Sequence, residues 1–142
     1  MPKGTTFDND LLKGIFQATN IANLLDNAAS PITSLFVALH TADPSAGNQN
    51  TSEVAYTGYN RAGVSRNAAG WTVTAANVVN AGAITFPACA GGSSTAAFVS
   101  VGKNNTGVAG EIYYSGALTA NLSISNGITP SFAANNLTVT ES

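Results

Sequence analysis

The chain has 142 residues, 44% of them hydrophobic and only 8% charged, with a formal net charge of −2. That length suits one domain with a core of its own. The five basic residues (Lys3, Lys13, Arg61, Arg66 and Lys103) are scattered, so they form no stripe for neutralising phosphates and no polybasic membrane patch, and nucleic acid and membrane are excluded as expected partners.

Ordinary globular domains carry about 25% charged residues. Here Thr, Ser, Asn, Gly and Ala take the place of the missing ions. Thr and Val suit strands, and Gly, Asn and Ser suit turns. A weakly charged, small-polar surface also packs against neighbours without the cost of desolvating ions. The composition therefore suggests a β protein that sits in an assembly. Cys89 is the only cysteine, inside the small-residue run Ala88-Cys89-Ala90. It can form no internal disulfide and reads as a small buried hydrophobe. The start, MPKGTTFDND, has no hydrophobic segment or cleavage site, so no signal peptide is expected.

In chain order, residues 1–30 read as an N-terminal arm and helical segment, and residues 31–142 as a single compact β domain. Within the first part, residues 1–6 are an arm. Asp8 or Asp10 can cap a helix by accepting bonds from its free N–H groups. Leu11, Leu12, Ile15 and Phe16, then Ile21, Leu24, Leu25 and Ala28, recur at helical spacing to residue 29, with a break near Thr19-Asn20. Ser30-Pro31 ends the segment.

The pattern then turns to strands. Ser34–His40 is an apolar run of strand length, expected at the centre of a sheet. Thr41–Ser52, with Asp43-Pro44 and Gly47, is a loop. Tyr59–Ser65 and Gly70–Thr74 read as strands about the turn Asn67–Gly70. Val78-Val79 and Ala83–Phe86 follow, and Ala90–Ser94 is a loop. Ala96–Val101 and Glu111–Leu118 form a pair joined by the polar loop Lys103–Gly110. Leu122–Ile124, the turn Asn126-Gly127, Ile128–Phe132 and Leu137–Val139 close the chain. About eight short strands with no helices between them predict a mostly β fold, a jelly-roll-like antiparallel β-sandwich with a short N-terminal helical segment.

Little in the chain points to catalysis. His40 is the only histidine and lies three residues before Asp43. No Gly-x-Ser-x-Gly elbow accompanies it, so it reads as a strand-end histidine bonding a loop. One His and one Cys far apart make no zinc site, and the seven acids do not gather into a calcium loop. No metal, cofactor or catalytic residue is expected. Glu53 and Glu111 are the only internal glutamates, and nothing in the sequence pairs them. Trp71 could offer a sugar platform, but in the alternating run Gly70–Val73 it reads as core. Arg61 and Arg66, the only arginines, flank Ala62–Ser65. Arginine is favoured at interfaces and forms bidentate pairs with carboxylates, so these two read as interface or loop-anchoring residues. With Tyr56, Tyr59 and Phe16 they make up the candidate interface set.

The ordered combination of Leu35–Pro44, Ser52–Arg61, Gly70–Val73, Asn80–Ala88, Tyr114–Leu118 and Asn126–Phe132 resembles a family of small tailed-phage virion proteins. The resemblance covers roughly residues 35–139 and is weakest over the first 30. Members of that family are labelled as head decoration or cement proteins, or as tail-fibre proteins. The resemblance implies an external β-sandwich made in the host cytoplasm, which binds the major capsid protein on the outer surface of the head as a dimer or trimer. It implies no catalytic residues. The leading expectation is a capsid cement protein, and the alternative is a tail-fibre or receptor-binding structural module with a lectin-like site.

Overall fold

The computed structural model of the protein describes residues 5–20 and 32–141. In chain order its elements are helix α1 (Thr5–Gln17) and strands β1 (Ser34–His40), β2 (Ala62–Ser65), β3 (Trp71–Thr74), β4 (Asn77–Asn80), β5 (Ile84–Thr85), β6 (Ser93–Gly102), β7 (Ile112–Ser125), β8 (Ser131–Phe132) and β9 (Thr138–Thr140). The described chain is mostly β, built from antiparallel sheets with one short N-terminal helix, in keeping with the β-sandwich class read from the sequence. The described residues divide into two compact units, one drawn from within 1–34, 65–84 and 132–142, the other from 35–64 and 85–131.

The larger sheet has the order β2-β1-β6-β7, and a separate two-stranded pair joins β5 to β8. β1 is an inner strand, as its unbroken apolar run predicted. It runs antiparallel to β6, with Phe36 opposite Gly102 and His40 opposite Phe98. Leu35, Val37, Ala38, Leu39 and His40 are all buried.

The other unit carries the sheet β3-β4-β9 with α1 packed on β3 and β4. Leu12 and Phe16, one helical turn apart, form the buried stripe of α1. The Phe16 ring meets Trp71 edge-on, with centroids 4.7 Å apart and planes at 66°. Gln17 Nε2 donates to the Trp71 carbonyl at 3.0 Å. Asn80 is fully buried and organises the return of the chain to β9. Its amide donates to the carbonyls of Gly82 and Ala133, and its oxygen accepts from Leu137 N–H.

Several sequence readings shift. α1 begins at Thr5, so Asp8 and Asp10 lie within its span and not at its start. It ends at Gln17, just before the expected break. Ala18 turns into the left-handed region (φ 55°) and Thr19 N–H closes back on the Lys13 carbonyl. Residues 1–4 of the expected arm and the helical reading over 21–29 lie outside the described residues. Ser93-Ser94 belong to β6, not to a loop, and Leu122–Ile124 continue β7 instead of forming a separate strand. A register shift explains the second difference. Ala96 pairs with Leu122 while Phe98 pairs with Ala117, so the residues between Ala117 and Leu122 bulge out and break the alternation that marks one strand. Tyr59 N–H bonds the Tyr56 carbonyl in a turn, which delays β2 to Ala62. The turn at Gly127 (φ 87°) is as expected, but Ile128 N–H closes on the Ser125 carbonyl, leaving only Ser131-Phe132 as β8.

Candidate functional site

The densest polar cluster lies at one end of β1, where loop 41–53 meets loop 103–110. Both loops are built from small polar residues that cannot form a core of their own, so buried hydrogen bonds hold them. The Arg61 side chain is 0% exposed at their centre. Its Nε and Nη2 grip the Glu53 carboxylate in a fork, at 2.7 and 2.8 Å. Nη2 also donates to Asn50 Oδ1. Nη1 donates to the carbonyls of Asn104, Asn105 and Val108 at 2.8–2.9 Å, and the Arg61 backbone N–H donates to Thr106 Oγ1 at 2.7 Å. A guanidinium has five N–H donors in a fixed fork, and here each has a partner.

The network extends inward. Glu53 Oε1 accepts from the Tyr59 hydroxyl at 3.0 Å, and that hydroxyl accepts from Leu39 N–H at 3.1 Å. Burial pushes the Tyr59 pKa far above its ordinary value, so the phenol stays a donor. The Tyr59 ring stacks near-parallel to Phe86 and meets Tyr56 edge-on. Gln49, also fully buried, donates to the Phe36 carbonyl and accepts from Asn104 N–H. Glycine is required around it: a Cβ on Gly102 would collide with Gln49 and the Glu111 carbonyl, and one on Gly110 with Gln49 Oε1.

His40 completes the anchoring of loop 41–53. Nδ1 lies 2.8 Å from the Thr51 carbonyl and Nε2 lies 2.8 Å from Ser100 Oγ. A carbonyl only accepts, so Nδ1 carries the proton and Nε2 accepts from the Ser100 hydroxyl. Asp43 does not join this pair, because it accepts from Ser45 N–H in its own turn. His40 and Ser100 are 0% and 1% exposed, so no substrate in solvent reaches either.

Burial holds the His40 pKa below its ordinary 6.5. The Thr51 carbonyl and Glu53 carboxylate oppose that shift, and Arg61 adds to it. Below pH 6.5 the unfolded chain takes up a proton that the folded chain refuses. Stability is therefore expected to fall as pH drops from that value toward the folded pKa, by up to about 1.4 kcal/mol per pH unit. His40 is the only histidine, so this window is nearly free of other side-chain titrations. Urea midpoints measured from about pH 7.5 to about pH 5.5 should slope downward for the native chain and run nearly flat for His40→Gln. Equal slopes would remove His40 as the cause.

The remaining candidate residues lie as follows. Tyr56 is buried and donates to the Pro87 carbonyl at 2.8 Å. Tyr59 is half-buried in the network above. Phe16 is buried against Trp71. Arg66 bonds the carbonyls of Gly14 and Ile15 in the last turn of α1, and that of Ile32. The last carbonyls of a helix have no partner within it. No basic residue lies in that turn of α1, so Arg66 supplies both the donors and the positive charge that a helix C-terminus favours. The structure brings Arg61, Tyr56 and Tyr59 into one region and places Arg66 and Phe16 in the other unit. Trp71 and Tyr56 are buried and offer no stacking platform for a sugar. Cys89 is buried, as read. Among the described residues no three His, Cys, Asp or Glu side chains converge on a metal-sized site, and no helix is long and apolar enough to cross a membrane.

Sequence reasoning missed Glu53, Asn50, Gln49 and Ser100 as partners. Only the rarity of charge hinted at the first: in so ion-poor a chain, a glutamate eight residues before one of two arginines is a natural counter-ion.

A search of curated proteins gives no match. A protein-family model described as "Podophage GP4 fiber I protein gp80" matches residues 5–140. The resemblance seen in the sequence thus holds at the level of a phage virion structural protein, while the description names a fibre and not a cement protein. The match also takes in the N-terminal helix, where the resemblance was weakest. Spanning nearly the whole chain, it makes the protein a member of the podophage fibre protein gp80 family.

Proposed function

We propose that the chain is a non-enzymatic structural subunit of a phage tail fibre or receptor-binding assembly, working by binding and not by catalysis. The family description carries this reading. The geometry supports it: His40 and the Arg61–Glu53 pair are turned inward and hold loops. Arg61 fixes the backbone of loop 103–110 at three carbonyls, while Val108 at that loop stands 45% exposed. A preorganised loop loses little entropy on binding, which suits recognition of a partner surface.

The capsid-cement reading retains one favouring observation, the low charge. An ion-poor surface packs on a shell lattice as readily as on a fibre, where many copies acting together would reinforce the head by avidity. Quantitative gel analysis of purified virions, with gold-labelled antibody to place the protein, separates the two. A handful of copies at the tail is expected. Hundreds of copies on the head surface would replace the fibre reading with the cement reading.

A further inference from the structure

The Arg61 guanidinium sits inside a cage of six oxygens: both carboxylate oxygens of Glu53, the Asn50 side-chain oxygen, and the carbonyls of Asn104, Asn105 and Val108. Carboxylate, side-chain amide and backbone carbonyl oxygens are the donor types with which loops hold calcium. Here the cation is a side chain, 0% exposed, and it comes from neither loop but from the residue before β2. Spacing decides which cation the cage takes. Calcium needs its oxygens about 2.3–2.6 Å from one centre. These oxygens lie 2.5–2.9 Å from three separate nitrogens of one planar group. They therefore ring a wider space than a single small ion can span.

We propose that this cage is a guanidinium-binding site in its own right: loops 41–53 and 103–110 are ordered by a planar cation with several donors, and Arg61 is the form in which the chain carries that ligand. The covalent link to the backbone serves to keep the ligand at high effective concentration. This goes beyond the fibre reading and holds for a subunit anywhere in the virion. Three features select a guanidinium over an ammonium or a metal ion. The Glu53 carboxylate is met by two parallel N–H donors, which a planar fork supplies and an ammonium does not. The three carbonyls converge on one further nitrogen of the same group. The cage holds a single carboxylate, which balances one positive charge and leaves a divalent ion half-neutralised. The order of loop 103–110, and with it the display of Val108, then depends on the site being filled.

Arg61→Ala in the full chain tests this, because it empties the cage and keeps the backbone N–H that bonds Thr106 Oγ1. N-ethylguanidinium replaces the atoms removed. At millimolar concentration it is expected to raise the thermal midpoint of Arg61→Ala saturably and to slow amide exchange in residues 103–110 toward the native rate. Ethylammonium has the same charge without the planar fork, and it should do neither. Glu53→Gln/Arg61→Ala, which lacks the carboxylate, should respond far less to ethylguanidinium. Absence of rescue, equal rescue by ethylammonium, a stronger response to calcium chloride, or an equal response of the double variant overturns the proposal. If Arg61→Ala does not fold unaided, the folded fraction recovered on refolding, read by circular dichroism, decides. It should be larger with ethylguanidinium than with ethylammonium, and equal recovery overturns the proposal.

Discussion

Arg61→Met is expected to destabilise the protein by about 3–5 kcal/mol, the usual cost of removing one partner from a buried ion pair. Methionine keeps much of the apolar stem but none of the donors. The Glu53 carboxylate, only 13% exposed, loses its counter-ion. The carbonyls of Asn104, Asn105 and Val108 lose their common donor. Arg61→Lys keeps the charge but cannot reach a carboxylate and three carbonyls at once, because an ammonium lacks the planar fork, so an intermediate loss is expected. The double variant Glu53→Gln/Arg61→Met should cost clearly less than the two single losses added together, since no unpaired charge is left behind. Chemical denaturation of the native chain and of Arg61→Met, Arg61→Lys, Glu53→Gln and the double variant measures this. Additive losses, or an Arg61→Met loss below about 1 kcal/mol, typical of a surface pair, would mean that Arg61 is no keystone.

Trp71→Ala is the second large effect, expected to cost about 3–5 kcal/mol. Trp71 is the largest fully buried side chain and the wall against which Phe16 packs. With Trp71 removed, α1 loses the partner of its buried stripe. A 13-residue helix is marginal in water without such packing. Amide hydrogen exchange should therefore speed up in α1 more than in β6. Phe16→Ala should produce the same pattern, and the double variant should fall short of the sum because both truncations open one cavity. Exchange in α1 that does not change would show that the helix is held elsewhere, for instance by Arg66 at its C-terminal carbonyls alone.

Much of the β framework was legible because its signals are local. The apolar run of β1, the turn signal of Asn126-Gly127 and the polar loop at 103–110 each declare themselves over a few residues. The β3–β4 hairpin did not. Its two-residue turn is Ala75-Ala76, both with positive φ, a conformation that normally calls for Asn or Gly. The end of α1 hid for the same reason, with Ala18 standing where glycine is usual. The length of β7 was obscured by its bulge, which interrupts the period-two pattern although the strand continues. For the site, Arg61 and Arg66 stood out because ions are rare, and Tyr56 and Tyr59 lie close by Arg61. What each holds was not legible. Four of the Arg61 side-chain bonds and the three Arg66 side-chain bonds described above go to groups more than ten residues away, and all but one of these are backbone carbonyls, which leave no mark on composition.

Taken alone, the sequence determined the class of the molecule: a mostly β chain, poor in ions and reactive groups, with motifs of a phage virion protein. Those properties are sums and short-range patterns, which a linear string carries. Only the tertiary structure decided that Arg61 is a buried clamp between two loops and that His40 is a neutral tether. These follow from which distant backbone groups converge, and that is set by long-range pairing.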